Sequence, residues 1–170
     1  MAIKKEIIEG QLTWGAFETG LKTDSKVFEF SWNEKDTIVK KVDLQGEFWW
    51  NQTGLCPGNY ANVYLNNEFV GKAEWFIDCG YRTFTNAVII KNGKNTVKVD
   101  GNNATPGLST LILFYRITII VEYIGKEPIF KPPPGGIDLS QILLLLMLGF
   151  IPVILIPLFR KIKERKKEEK

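Results

Sequence analysis

The chain has 170 residues, with 22 Lys/Arg against 19 Asp/Glu, a net charge of +3 and no histidine. The missing histidine excludes Ser-His-Asp and Cys-His catalysis, His-ligated zinc and a histidine pH switch, and two cysteines are too few for a Cys-only zinc site or an iron–sulfur cluster. Residues 1–137 hold 15 basic and 15 acidic side chains, Asp138 adds one negative charge, and residues 160–170 hold 7 basic against 3 acidic. The body is therefore neutral, which argues against a basic nucleic-acid-binding body, and the excess sits in the tail.

The body reads as all-β. Strands are expected over Ile3–Glu9, Gln11–Phe17, Lys26–Trp32, Thr37–Leu44 and Glu47–Trp50, the clearest being KVFEFSW at 26–32, where residues alternate along one aromatic face. Ala61–Leu65 and Glu68–Phe76 flank Asn66-Asn67, a two-residue hairpin signal. Phe84–Ile90 and Asn95–Val99 flank a second signal at Asn92-Gly93, where both residues tolerate positive φ. Asp100-Gly101 opens a polar loop that ends near Gly107. Leu108–Ile124 is β-rich over seventeen residues, long enough to predict a bulge or a passage from one sheet to the other. Eight to ten strands, turn residues every 8–12 positions and no amphipathic helix before residue 137 predict a β-sandwich or jelly-roll head over 1–124. Its five tryptophans are expected mostly in the core.

Residues 60–99, YANVYLNNEFVGKAEWFIDCGYRTFTNAVIIKNGKNTVKV, resemble the galactose-binding-like jelly rolls, the carbohydrate-binding or accessory β-sandwiches. The matching positions are Asn66, Gly71, Asn92, Gly93 and Asn95. They are turn and packing positions, so the resemblance implies a fold and an expectation of sugar binding, and assigns no ligand residue.

Cys56 and Cys79 have no competitor and flank the Ala61–Phe76 hairpin. A bridge between them would close a loop of about 24 residues, a stabilisation of roughly 3 kcal/mol by the chain-entropy estimate, and would point to an oxidising compartment, a virion or cell surface, or a hyperthermophile interior. Two free buried thiols are the alternative. Asn51-Gln52-Thr53 and Asn103-Ala104-Thr105 match the glycosylation sequon, making Asn51 and Asn103 candidate acceptors if the body lies outside the cell. Trp49-Trp50 is the candidate binding cluster: neighbours on a strand face opposite ways, so one ring is expected in the core and the other free to stack on a sugar or a protein. Asp36, Asp43, Glu47, Asp78 and Asp100 form no close motif, and no phosphate loop, dinucleotide fingerprint or nucleophile elbow occurs, so no catalytic residue, metal ligand or cofactor is expected.

Residues 125–137 are rich in Pro and Gly, and Pro132-Pro133-Pro134 favours polyproline II, predicting a stiff stalk. Leu139–Phe159 contains 21 residues without a formal charge. A helix of that length spans roughly 30 Å, so a single transmembrane α-helix is expected over 138–159 despite Pro152 and Pro157. Arg160, Lys161, Lys163, Arg165, Lys166, Lys167 and Lys170 then form a basic tail over 160–170, suited to anionic lipid headgroups or to nucleic acid. The charge rule puts this tail in the cytoplasm, whereas residues 1–14 lack the apolar stretch of a signal peptide that would carry the body across. Orientation stays open between these two cues.

These parts predict a non-enzymatic, membrane-anchored structural or interaction protein, such as a minor virion protein linking a capsid or surface layer to a membrane. The alternative is a membrane-anchored carbohydrate-binding or adhesion module, or an accessory subunit of a membrane complex. Expected partners are the lipid bilayer, other chains of an assembly or surface lattice, a glycan, and nucleic acid through the basic tail alone. The expected location is a virion membrane or cell surface.

Overall fold

The structure, a computed structural model, describes residues 1–134; the expected span at 138–159, the basic tail and the end of the stalk lie outside the described residues. Nine strands occur among the described residues: β1 (Ala2–Trp14), β2 (Gly20–Ser31), β3 (Thr37–Trp50), β4 (Asn59–Leu65), β5 (Glu68–Trp75), β6 (Arg82–Ala87), β7 (Gly93–Asn103), β8 (Leu111–Gly125) and β9 (Ile129–Lys131). They form two antiparallel sheets. The first has the order β1-β8-β3-β6, the second β5-β4-β7-β2-β9. Every connection except β4–β5 passes from one sheet to the other, so the chain wraps back and forth around one core.

Period-2 patterning builds that core. Along β8, Leu111, Leu113, Tyr115, Ile117, Ile119, Val121 and Tyr123 are buried and their even-numbered neighbours are not. Opposite them lie Phe28 and Phe30 of β2, Val63 of β4, and Val97 and Val99 of β7. At one end Trp14, Trp50 and Trp75 interlock. The Trp14 and Trp50 centroids are 5.0 Å apart, and those of Trp50 and Trp75 are 6.0 Å apart and nearly edge-on. The Trp14 and Trp75 indole N–H groups donate to the carbonyls of Gly20 and Gly80 at 2.9 and 2.7 Å, so two of the three rings are buried without an orphaned donor.

Several expectations are corrected. The seventeen-residue run does not change sheet: Leu108–Thr110 are loop, β8 pairs with β1 from Leu111 to Tyr123 without a register shift, and the bulge lies instead in β3 at Val39/Lys41. Asn92-Gly93 is not a hairpin. Gly93 has the positive φ of 105° that the turn requires, but β6 belongs to the first sheet and β7 to the second, so the turn crosses between them. Asn66 and Asn67, with φ of 52° and 71°, do close the β4–β5 hairpin. The expected loop from Asp100 begins later, because Asp100–Asn103 continue β7 against β2 and β4.

The boundary at residue 124 also moves. Ile129–Lys131, expected in the stalk, form β9 on the edge of the second sheet, with Phe130 5.7 and 5.8 Å from the Phe28 and Phe30 rings. Lys126 N–H donates to the Asp36 carbonyl and Thr37 Oγ1 donates to the Lys126 carbonyl, tying the approach to β9 onto the start of β3. A chain ending at Pro134 is therefore expected to fold, while one ending at Ile124 loses about 2 kcal/mol by uncovering the Phe28–Phe30 face. Urea denaturation of the two fragments measures the difference; equal midpoints would make β9 dispensable.

A side chain–side chain hydrogen bond also joins the two sheets. Tyr115 points inward from β8, and its hydroxyl donates to Asp24 Oδ2 on β2 at 2.6 Å. The ring passes beneath Gly10, where an added Cβ would sit 2.2 Å from the Tyr115 oxygen, so β1 carries glycine there for lack of space. Burial, reinforced by the Asp24 hydrogen bond and charge, pushes the Tyr115 phenol well above its usual range. The unfolded chain thus releases this proton near pH 10 while the folded chain keeps it, and stability falls as pH rises above that point. The expected slope from this residue is up to about 1.4 kcal/mol per pH unit, and Tyr115→Phe should flatten it. Unfolding midpoints between pH 8 and 11 provide the measurement.

Candidate functional site

The outward face of the first sheet is laid out in rows by its register. Gln11, Phe114 and Trp49 are side by side in one row. Glu9, Arg116, Glu47 and Thr83 form the next, then Ile7, Thr118, Gln45 and Thr85. The first row is aromatic. Trp49 stacks on Phe114 with centroids 5.7 Å apart and planes 17° apart, and the Tyr81 ring, from the β5–β6 loop, stands 6.3 Å away on the other side. The second row is charged: Arg116 Nε donates to Glu9 Oε1 at 2.8 Å, its Nη1 lies 3.7 Å from Glu47 Oε2, and the Tyr81 hydroxyl donates to Glu47 Oε1 at 2.5 Å. Glu47, by accepting from Tyr81, raises the phenol's pKa, and Glu9 does the same for the Arg116 guanidinium. The surface therefore presents an apolar strip flanked by fixed donors and acceptors, a geometry suited to recognising a ligand with one apolar face and a hydroxyl-rich edge.

The Trp49-Trp50 expectation resolves along this alternation. Trp50 is the core ring, between Trp14 and Trp75. Trp49 is the outward ring, half-buried by Phe114 and Tyr81. Sequence reasoning missed Tyr81, Phe114, Arg116 and Glu9 as neighbours of Trp49, because they come from β1, β8 and a loop up to 107 positions apart. Alternation along 111–123 was the available signal that Phe114 and Arg116 share a face.

A second surface lies at the tryptophan end of the sandwich, where the β1–β2, β3–β4, β5–β6 and β7–β8 loops meet. Each carries an exposed large apolar residue: Phe17, Leu55, Phe76 with Ile77, and Leu108, the last 86% exposed. These loops are tied to one another. Cys56 and Cys79 form a disulfide with Cα atoms 5.2 Å apart, joining the β3–β4 and β5–β6 loops beside the Leu55–Asp78 bridge. Phe17 N–H donates to the Gly107 carbonyl, and Thr105 Oγ1 to the Pro57 carbonyl. Glu18 and Asp78, the acids in these loops, pair with Lys22 and Arg82.

The sequons fare differently. Asn51 is exposed at the end of β3, where its Oδ1 accepts from Ile112 N–H at 2.7 Å and its amide nitrogen faces the Thr110 carbonyl at 3.4 Å. Asn103 is fully buried and its amide nitrogen donates to the Glu18 carbonyl at 2.8 Å, so as a glycan acceptor it is corrected: the attachment atom is already committed inside the fold. Asn66, Asn92 and Asn95 close turns. The buried Asn95 carboxamide alone bonds Lys91, Gly93 and Asn66. Among the described residues no group of three or more Cys, Asp or Glu is placed to hold a metal ion. The seven basic residues from Arg160 to Lys170 lie outside the described residues.

No protein-family model and no curated protein matches the chain. Similar solved structures include a family 35 carbohydrate-binding module from an environmental isolate, 14% identical over 70% of this chain and 76% of that one, with a TM-score of 0.37. The CBM36-1 domain of a multidomain xylanase from the hindgut metagenome of Trinervitermes trinervoides is 13% identical over 72% of this chain and 100% of that one, at 0.42. A CBM36 carbohydrate-binding module in complex with calcium and xylotriose is 9% identical over 73% and 100%, at 0.31. At such TM-scores the overlap is too loose to transfer a binding position.

Breaking the Cys56–Cys79 bridge, by reduction or as the double serine variant, is expected to lower unfolding free energy by about 3 kcal/mol and to speed amide exchange in all four tied loops. Exchange that speeds only next to the two cysteines would show that the loops are not mechanically coupled.

Proposed function

We propose that residues 1–134 form a non-enzymatic glycan-binding head, held at a virion or cell-surface membrane by the apolar segment at 138–159. The observation that carries this reading is the outward face of the first sheet, where the Tyr81–Trp49–Phe114 strip runs beside the Glu9–Arg116–Glu47 row. A sugar ring offers C–H groups on its face and hydroxyls on its edge. The face stacks on Trp49 or Tyr81, worth about 0.5–1.5 kcal/mol per aromatic contact, while Glu47 and Arg116 exchange hydrogen bonds with neighbouring hydroxyls. The charged row is already braced by its own hydrogen bonds, which reduces the ordering cost of binding. Nothing in this arrangement requires covalent chemistry.

The test is binding of the full chain to a panel of immobilised polysaccharides. Trp49→Ala should weaken binding about tenfold, close to 1.4 kcal/mol, while shifting the melting temperature by only a few degrees. Trp50→Ala should cost about 3–5 kcal/mol of stability, because it empties the centre of the tryptophan cluster. Binding untouched by Trp49→Ala removes the platform from consideration.

A second reading, a structural link between a membrane and a capsid or surface layer, is favoured by the tied apolar loop tips, whose two carboxylates are paired and which suit contact with another chain. Polysaccharide binding insensitive to Phe76 and Leu108 substitutions, together with assembly defects from those same substitutions, would separate the two surfaces.

A further inference from the structure

β1 is the edge of the first sheet: its outer backbone groups pair with no other strand among the described residues, and near its end the Thr13 carbonyl accepts from Lys22 Nζ at 2.7 Å. The other three edges are guarded. β9 is three residues long and is followed at once by Pro132–Pro134, β6 is six residues long, and β5 is interrupted by a bulge opposite Val63/Tyr64. By contrast, β1 is 13 residues long, contains no proline and is paired on its inner side without irregularity from Ala2 to Trp14. It also carries exposed isoleucines at positions 3 and 7, 58% and 53% accessible, on the outward face. A long, regular, partly apolar edge is a template for another strand.

The outward side chains of β1 specify which strand. In order they are Ile3, Lys5, Ile7, Glu9, Gln11 and Thr13. Two copies of this strand placed antiparallel about a two-fold axis at Ile7 put Ile7 against Ile7 and Lys5 of each copy against Glu9 of the other. Ile3 then falls opposite Gln11. Sliding the axis to Lys5 or to Glu9 sets like charges opposite each other, and sliding it to Glu6 does so on the inner face. The inner charges at the other end of the strand are already satisfied, since Lys4 pairs with Glu6 and with Glu127.

We propose that two copies of the chain join through their β1 edges, antiparallel and centred on Ile7, merging the two four-stranded sheets into one of eight. This is charge-complementary self-association: Lys5 of the second copy extends the Glu9–Arg116–Glu47 row, and both aromatic strips face the same way. The association needs no glycan, so it stands or falls separately from the binding reading above.

Cross-linking of the full chain in detergent micelles tests it. Directly opposed residues in an antiparallel pair have Cα atoms about 4.5–5.5 Å apart, within disulfide range, so Ile7→Cys should oxidise to a covalent dimer on a non-reducing gel. Gln11→Cys, with its equivalents roughly 27 Å apart, should not. Sedimentation of Lys5→Glu and of Glu9→Lys should each show association weakened about tenfold, and the double reversal should restore it. A monomer throughout, equal cross-linking at positions 7 and 11, or single reversals that the double variant fails to rescue would each overturn the proposal.

Discussion

The pairing of β8 along both of its edges governs both faces of the first sheet. From Leu111 to Tyr123 it is in register with β1, and from Leu113 to Glu122 with β3, whose bulge at Val39/Lys41 shifts the last three pairs, so it has a strand on both sides over nearly its whole length. Side chains on a strand alternate without exception, so the burial of Tyr115, Ile117 and Ile119 obliges Phe114, Arg116 and Thr118 to face outward. A slip of one residue would put the Arg116 guanidinium in the core and seven large apolar side chains in water. Penalties of that size leave no competing register, and the aromatic and charged rows inherit their positions from a core decision made on the other side of the same strand.

How much of this the sequence disclosed depends on how local each signal was. The alternation along 26–32, the Asn66-Asn67 turn and the opposite facing of Trp49 and Trp50 are properties of a few consecutive residues, and all three are present in the structure. The Asn92-Gly93 turn was correct as backbone geometry and misleading as topology, because a turn cannot state which sheet receives the next strand. Asp100–Asn103 looked like a loop, since Asp-Gly-Asn-Asn has poor strand propensity. There the strand is held by distant partners: Thr23 donates to Asp100, and Asn103 donates to Glu18. β9 was hidden for the same reason, because Ile-Phe-Lys between prolines acquires a role only when Phe28 and Phe30 are already side by side.

The candidate surface was the least legible part. Trp49 was identified from its neighbour Trp50, but its companions come from three other segments of the chain and share no motif. Their association depends on sheet order, which places β1 and β3 on either side of β8. The loop end shows the same dependence. Four unremarkable loops, each with one or two apolar residues, become a single surface because the wrapped path delivers them to the same end and the disulfide and loop-to-loop hydrogen bonds lock them together. The head thus presents a rigid flat face and a rigid apolar tip, built by different connections.

The edge position of β9 also has a mechanical meaning. Any tension entering through Pro134 reaches β9 before any other strand, and β9 is held by three residue pairs and one aromatic side chain. Peeling it away would pay out residues 129–134, about 20 Å of slack at the extended-chain length, while β2 keeps its eleven-pair ladder with β7. β9 is therefore a short extensible element between Pro134 and the rest of the sandwich. A sharp pull is absorbed there first, and the Tyr115–Asp24 tie and the tryptophan cluster are loaded only after it has given way.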